Sequence, residues 1–364
     1  MRKAIIAVSG MLTISALALS AGSSLANAVP AKSSFPLSGT LTGVTASSSR
    51  NVWVSTNLGA TARWNGSRWQ VVPTPGFTPG FNQELGTAGP RNAWAVGSSA
   101  TEPATSAIMK WNGTDWTIVP SDTPDNGIYT GLAVASRNNA WAVGFIDFID
   151  GTAGLAVHWN GHSWKQVPTS QSTENGVGFP SAVATTPWRS DIAWALFQDS
   201  GATVSGYGLD RWTGHSFKLV STPVPAGDAL EAVAVSSASN AWAVGQANFG
   251  DQTFTVEWNG HRWTQIASPS IATGAQLRAV ATTSKRNAWA VGFSDPATGL
   301  PQALILHWNG HAWTRVHLPA AAGGSNLYDV TAISATDAWA VGTTDSSSAS
   351  PKALILHWNG HSWK

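Results

Sequence analysis

No cysteine occurs among the 364 residues, which removes disulfides, thiolate nucleophiles, zinc–thiolate and iron–sulfur ligation, and any cysteine-borne lipid anchor. Charge is scarce as well. Asp, Glu, Lys and Arg make up 11% of the chain and the net charge is +1, with no run of either sign. Nucleic-acid binding relies on clustered Lys and Arg, and so does a membrane-surface patch, so neither is expected. A partner should be neutral or weakly charged. Amphipathic helical periodicity is not sustained anywhere after residue 28, and only one apolar run stands out. It follows Arg2 and Lys3, extends from Ala4 to Leu19, and precedes a small-residue cleavage site, Ala26-Asn27-Ala28. Residues 1–28 therefore read as a secretory signal peptide. The expectation is secretion with no membrane attachment after cleavage before Val29, and an extracellular fold held by burial alone.

Tryptophan is abundant, and it is periodic. The segment Arg286 to Gly292, RNAWAVG, recurs as RNAWAVG from Arg91, as NAWAVG from Asn139 and Asn240, and as DAWAVG from Asp337. Looser copies are NVWVST from Asn51 and IAWALF from Ile192. The seven tryptophans, Trp53, Trp94, Trp141, Trp194, Trp242, Trp289 and Trp339, are 41 to 53 residues apart. Each copy is followed by WNGxxW, or by WTGHSF in the fourth, and 20 of the 21 tryptophans fall in these slots, with Trp188 outside them. Within the sixth repeat LRAVATT, NAWAVGF, QALILHW and HAWTRVHL each read as a short strand, separated by Gly, Pro, Ser and Asp. Four antiparallel strands per unit and seven units define an all-β, seven-bladed β-propeller. The blades run at about 39–75, 80–122, 126–170, 177–222, 227–269, 274–319 and 324–364, with 29–38 as an N-terminal segment and candidate ring closure. A buried Trp gives on the order of 4–6 kcal/mol gross, so a sevenfold Trp slot needs no ligand to explain it.

Eight of the nine histidines lie in the WNG and WTG hairpins. With Asn-Gly at the centre of a type I′ turn, Trp308 would face His311 and His307 would face Ala312. The pleat would then split His307 from His311, so no metal site and no cofactor are expected. In that register His162, His261, His311 and His361 would cap a Trp across the turn. A three-residue loop with a bulge is the alternative.

The aromatic-plus-Gly second strand followed by a hairpin with a Trp on the fourth resembles the kelch and galactose-oxidase-like propeller repeats. It is also similar to Trp-rich propeller repeats of secreted proteins from Gram-positive soil bacteria. The resemblance spans Leu37 to Lys364, and it implies the fold rather than an activity. With no cysteine, the Cys–Tyr crosslink of copper-radical oxidases cannot form. The WNGxxW segment matches only the GxxW part of a sialidase box.

Function is sought where the repeats stop repeating. Aligned on Val44, Leu85, Leu132, Val183, Val233, Val280 and Val330, one innermost-strand slot holds Thr42, Gln83, Thr130, Ser181, Glu231, Arg278 and Tyr328. The next holds Gly43, Glu84, Gly131, Ala182, Ala232, Ala279 and Asp329. Glu231 and Arg278 are candidates for an acid–anchor pair, or for a partly exposed salt bridge. Glu84 and Asp329 are the alternative catalytic carboxylates of a glycoside hydrolase or polysaccharide lyase. The aromatics Phe77, Phe81, Tyr129, Phe179 and Tyr328, with Phe145, Phe148, Asp147 and Asp150 of the insertion FIDFIDGTAG, are candidates for a sugar-stacking mouth. The competing reading packs such Phe residues over a blade edge. The expectation is a monomeric, non-catalytic propeller binding an extracellular glycan or protein.

Overall fold

The computed structural model describes residues 35–74, 84–98, 106–148, 151–170, 178–186, 189–200, 205–271, 274–295, 299–318, 324–345, 348 and 350–364. Residues 1–28, expected from the sequence to be a signal peptide, lie outside them with Phe77, Phe81, Asp150 and Trp188, as does the side chain of Phe179. Six four-stranded sheets and one three-stranded sheet, each with its strands in sequence order and antiparallel, form a seven-bladed propeller. Blade 6 is representative, with strands Ala275–Ser284, Asn287–Ser294, Gln302–Trp308 and Trp313–Val316. The first strand of each blade lies innermost, packed beside that of the next blade, and blade 7 meets blade 1 in the same way.

Burial of the AWAV segments follows from their position between blades. All seven central tryptophans are at most 6% exposed. Each inserts between the two aromatic residues of the following blade's WNGxxW hairpin. Trp53 meets Trp111 and Trp116, Trp242 meets Trp308 and Trp313, and Trp141 meets Trp212 and Phe217. Ring closure uses the same lock, with Trp339 of blade 7 lying 6.5 and 6.1 Å from Trp64 and Trp69 of blade 1. The first Trp of the hairpin donates its indole N–H to a main-chain oxygen, as Trp308 does to Lys285 at 3.0 Å. The second has no oxygen acceptor at Trp116, Trp164, Trp263, Trp313 or Trp363. Its ring is instead packed T-shaped against the central Trp of the preceding blade. Phe217 can therefore replace it in blade 4 without orphaning a partner.

The hairpin differs from the sequence expectation. Trp308 pairs with Trp313 and His307 with Thr314, a shift of two residues. Positive φ falls on the glycines alone, +92° to +115° at Gly66, Gly113, Gly161, Gly214, Gly260, Gly310 and Gly360, and not on the preceding Asn. The turn thus centres on Gly-x, with positive φ at its first central residue, rather than on Asn-Gly. Asn309 instead uses its side chain, whose Oδ1 accepts the N–H groups of His311 and Ala312, both at 3.0 Å. Consequently His162, His261, His311 and His361 are exposed in the turn and cap no Trp. Stacking falls to the residue before the hairpin. His158, His307 and His357 lie 4.0–4.1 Å from Trp141, Trp289 and Trp339, nearly parallel to them. Each Nε2 is 2.9 Å from Asn139, Asn287 or Asp337. Lys110 and Arg63 take the same place over Trp94 and Trp53 as cations.

Blade 7 has three strands, and its fourth is represented by the Trp358–Trp363 bridge and the paired main chains of His357 and Lys364. In other blades a fourth-strand aliphatic such as Val72 or Val316 packs beneath the next blade's Trp pair. At the seam Phe35 takes that role, edge-on to Trp69 at 5.5 Å. Residues 35–40 pack at this seam without strand pairing.

Candidate functional site

The innermost strands are not regular. Each of six carries a β-bulge near its start, where one residue has no partner on the second strand. The skipped residues are Thr42, Thr130, Ser181, Glu231, Arg278 and Tyr328. This is the variable slot of the sequence. In blade 2 it falls on Gln83, outside the described residues. The residue before each bulge is clamped between blades, with Leu41, Leu230, Leu277 and Leu327 all 0% exposed. The extra residue is thereby turned toward the axis, a recurrent use of bulges next to sites.

The glycine of AWAVG makes room for the bulge. A Cβ on Gly292 would lie 1.9 Å from the carbonyl oxygen of Gln276, and on Gly245 2.0 Å from that of Ala229. Neither contact can be relieved by moving a side chain. Sequence reasoning noticed the single glycine and the variable slot separately. Their pairing across the two strands is what joins them into one device.

The bulge residues open onto a central cavity of about 320 Å³, lined by Thr42, Thr130, Ser181, Glu231, Arg278 and Tyr328 and, beneath them, by Glu84, Gly131, Ala182, Ala232, Ala279 and Asp329, with Gly43 at the aligned position of blade 1. At this second level five of the seven positions are Gly or Ala and two are acids. The structure therefore brings together five of the candidate residues: Glu84, Glu231, Arg278, Tyr328 and Asp329. Their charges are unbalanced, with three carboxyls and one guanidinium on the lining of a chain whose net charge is +1.

Asp329 is held by its backbone surroundings. Its Oδ2 accepts the N–H of Val44 in blade 1 at 2.7 Å and its Oδ1 accepts that of Val330 at 2.8 Å, so it staples the last blade to the first. Glu84 has no hydrogen-bond partner among the described residues. Both are half-buried by accessible area because the lumen reaches them, yet protein surrounds them on every other side. Burial, and then the charge of Asp329, push the Glu84 carboxyl up to about 8. Burial pushes Asp329 up to about 7 against the pull of its two N–H donors. The two behave as a pair that resists losing its second proton.

Glu231 and Arg278 do not form the expected ion pair, since no contact within 4.0 Å joins them. Burial raises the Glu231 pKa, and the nearby Arg278 charge only partly offsets it. Arg278 is exposed and lies over the Phe293 ring at 5.3 Å.

The aromatic mouth needs correction. Tyr129 is 3% exposed because it fills the buried slot occupied elsewhere by Leu. Its hydroxyl bonds to Thr123 and Ser121. It offers no stacking face. The insertion of blade 3 is a strand extension rather than a loop, pairing Phe145 with Gly154 and Phe148 with Gly151. Phe148 packs against the blade core and Phe145 is half-buried, the edge-packing alternative. Tyr328 alone among the described candidates presents an aromatic ring to the lumen. Phe249, which sequence reasoning missed, is 88% exposed at the same end of blade 5, in left-handed backbone at φ 58°. No periodic signal marks such a residue. Among the described residues no group of three or more His, Asp or Glu is placed to hold a metal ion.

The fold thus defines a seven-bladed β-propeller whose variable residues gather at one end of the central channel. No family model matches the chain, and no curated protein matches it in sequence. Its shape, however, is shared with solved structures. One is YCF48 bound to D1 peptide, at 12% identity and TM-score 0.59 over 89% of this chain and 94% of that one. Another is the WD40 β-propeller domain of Doa1, at 11% identity and TM-score 0.57 over 88% and 92%. A third is a PL25 ulvan lyase bound to -[GlcA(1-4)Rha3S]-, at 9% identity and TM-score 0.58 over 88% and 92%. These likenesses show the fold; they include binders as well as enzymes.

Proposed function

We propose that the chain is an exported, non-catalytic propeller that binds a segment of a protein partner outside the cell, at the channel mouth ringed by the bulge residues. The observation that carries this reading is the ring itself. Six blades repeat the same backbone irregularity, yet the residue it exposes differs in size and charge among blades. Packing does not call for such variety, whereas recognition does. A protein segment fits better than a glycan because the stacking faces a sugar needs are reduced by the burial of Tyr129. The peptide held by the YCF48 propeller supports the same use of the fold.

Peptide and glycan arrays probed with the chain from Val29 onward test this. Peptide hits are expected, weakened at least ~10-fold by Tyr328→Ala and by Arg278→Glu, a loss of about 1.4 kcal/mol or more. Hits confined to glycans, or peptide binding indifferent to both changes, refute it. A second reading, cleavage of a glycan, is favoured by one observation, the protonated carboxyl pair Glu84 and Asp329. The pair lies beneath the mouth rather than across an open cleft, which suits a long polysaccharide poorly. Turnover of a polysaccharide that is lost in Glu84→Gln would establish cleavage and displace the first reading.

A further inference from the structure

The geometry points to the lumen beneath the bulge ring as a receptor for a primary ammonium group, taken between the carboxylates of Glu84 and Asp329. The inference rests on the channel mouth being a binding surface and names what enters it: a lysine side chain of the partner segment, or a free amine of the same chemistry.

Four features carry it. First, Glu84 and Asp329, from blades 2 and 7, line the same cavity, close enough for the Asp329 charge to oppose ionisation of Glu84. Blade 1, between them, has Gly43, without a side chain, at the aligned position. Second, their acceptor capacity is largely unused. Asp329 spends one lone pair of each oxygen on Val44 and Val330, and Glu84 spends none on any described residue. Third, among the described residues no cation lines that level. Arg278, the one guanidinium on the lining, is a level nearer the mouth and lies over Phe293. Fourth, the remaining positions of that level are Gly or Ala, which leaves room beside the two acids for the methylene stem of an amine. An ammonium is a compact charge with three donors on such a stem. A calcium ion would want six to eight oxygens, and two carboxyl groups, one already committed to backbone N–H donors, supply too few.

The groups facing this lumen that titrate or carry charge are Glu84, Asp329, Glu231, Arg278 and Tyr328. Burial keeps Glu84 and Asp329 protonated into the neutral range, so in the empty protein a proton occupies the place assigned to the ammonium. Binding exchanges one for the other. R–NH3+ enters with its three protons, the carboxyl O–H breaks, and that proton leaves to solvent.

Calorimetry at pH 7.5 in two buffers of different ionisation enthalpy reads the exchange. The probes are 1,5-diaminopentane and acetyl-Gly-Lys-Gly-amide, with the norleucine tripeptide, tetramethylammonium and calcium chloride as comparisons. Saturable binding of both amines is expected, with release of about one proton per amine bound. Glu84→Gln, whose fold is checked by circular dichroism, should bind at least ~10-fold more weakly and release no proton. Glu84→Asp should retain part of both. Equal binding by Glu84→Gln, binding without proton release, displacement of the amine by calcium, or no saturable amine binding overturns the inference. Array peptides that bind through Tyr328 and Arg278 with a dispensable lysine would sink it while leaving the mouth as the binding surface. Amine binding with no peptide hits would uphold it and make a free amine the ligand.

Discussion

Replacing Glu84 by Gln should stabilise the protein at high pH and do little at low pH. Glu84 titrates near 4.5 when unfolded and at about 8 in the fold, because burial and Asp329 oppose its ionisation. A carboxyl raised in the folded state contributes stability that is fully present below its unfolded pKa. That contribution is lost as the pH rises through the folded value. At about 1.4 kcal/mol per pH unit the whole shift corresponds to roughly 5 kcal/mol, and lumen water reduces it, so about 2–5 kcal/mol is the working range. Urea unfolding of both proteins at pH 5, 7 and 8.5 reads the effect of Glu84 together with its coupling to Asp329, since the remaining titrating groups are common to the two. The Glu84→Gln protein should be within ~1 kcal/mol of wild type at pH 5 and more stable by about 2–5 kcal/mol at pH 8.5. A gap that stays constant with pH, or that moves in favour of the wild type as pH rises, would refute the buried-pair description. It would leave the fold untouched.

Three further changes probe the frame. Gly292→Ala should cost about 3 kcal/mol or more in urea unfolding, because its Cβ would meet the Gln276 carbonyl at 1.9 Å and only the bulge backbone can yield. Trp308→Phe should cost about 1–2 kcal/mol more than Trp313→Phe. The first change strips the Lys285 carbonyl of its donor, whereas the second removes an N–H that has no oxygen acceptor. Phe35→Ala should cost about 1–2 kcal/mol by opening the seam at Trp69, and limited proteolysis should then cut first at blade 1 or blade 7.

The ring of blades was readable because its cement is both local and periodic. One Trp per second strand and an aromatic pair per hairpin recur at a near-constant spacing, and each contact joins neighbouring repeats. The hairpin register was misread for a reason equally local. Asn before Gly suits two turns, one using the Asn backbone in the left-handed region and one using its side chain as an acceptor, and the letters are identical. Choosing the first moved every cross-strand partner by two and gave the stacking role to His311 instead of His307.

The candidate site was half visible for a different reason. Alignment on the buried valines located the slot whose residues vary and found Glu84, Glu231, Arg278, Tyr328 and Asp329 together. It could not show that the slot is a bulge, because a bulge is a relation between two strands. Tyr129 shows the consequence. It stands one residue before Thr130, in the slot of Leu41 and Leu277, so a shift of one position separates a ring in the core from a residue facing the lumen. The packing of Phe35 against the Trp pair of its own blade was not legible either, because it comes from a segment that repeats nothing. Repeats therefore disclose what they share, and the candidate site lies where each blade departs from its neighbours. At the channel mouth the backbone irregularity is common to six blades and the residue it exposes differs, so that residue can vary without loss of the fold.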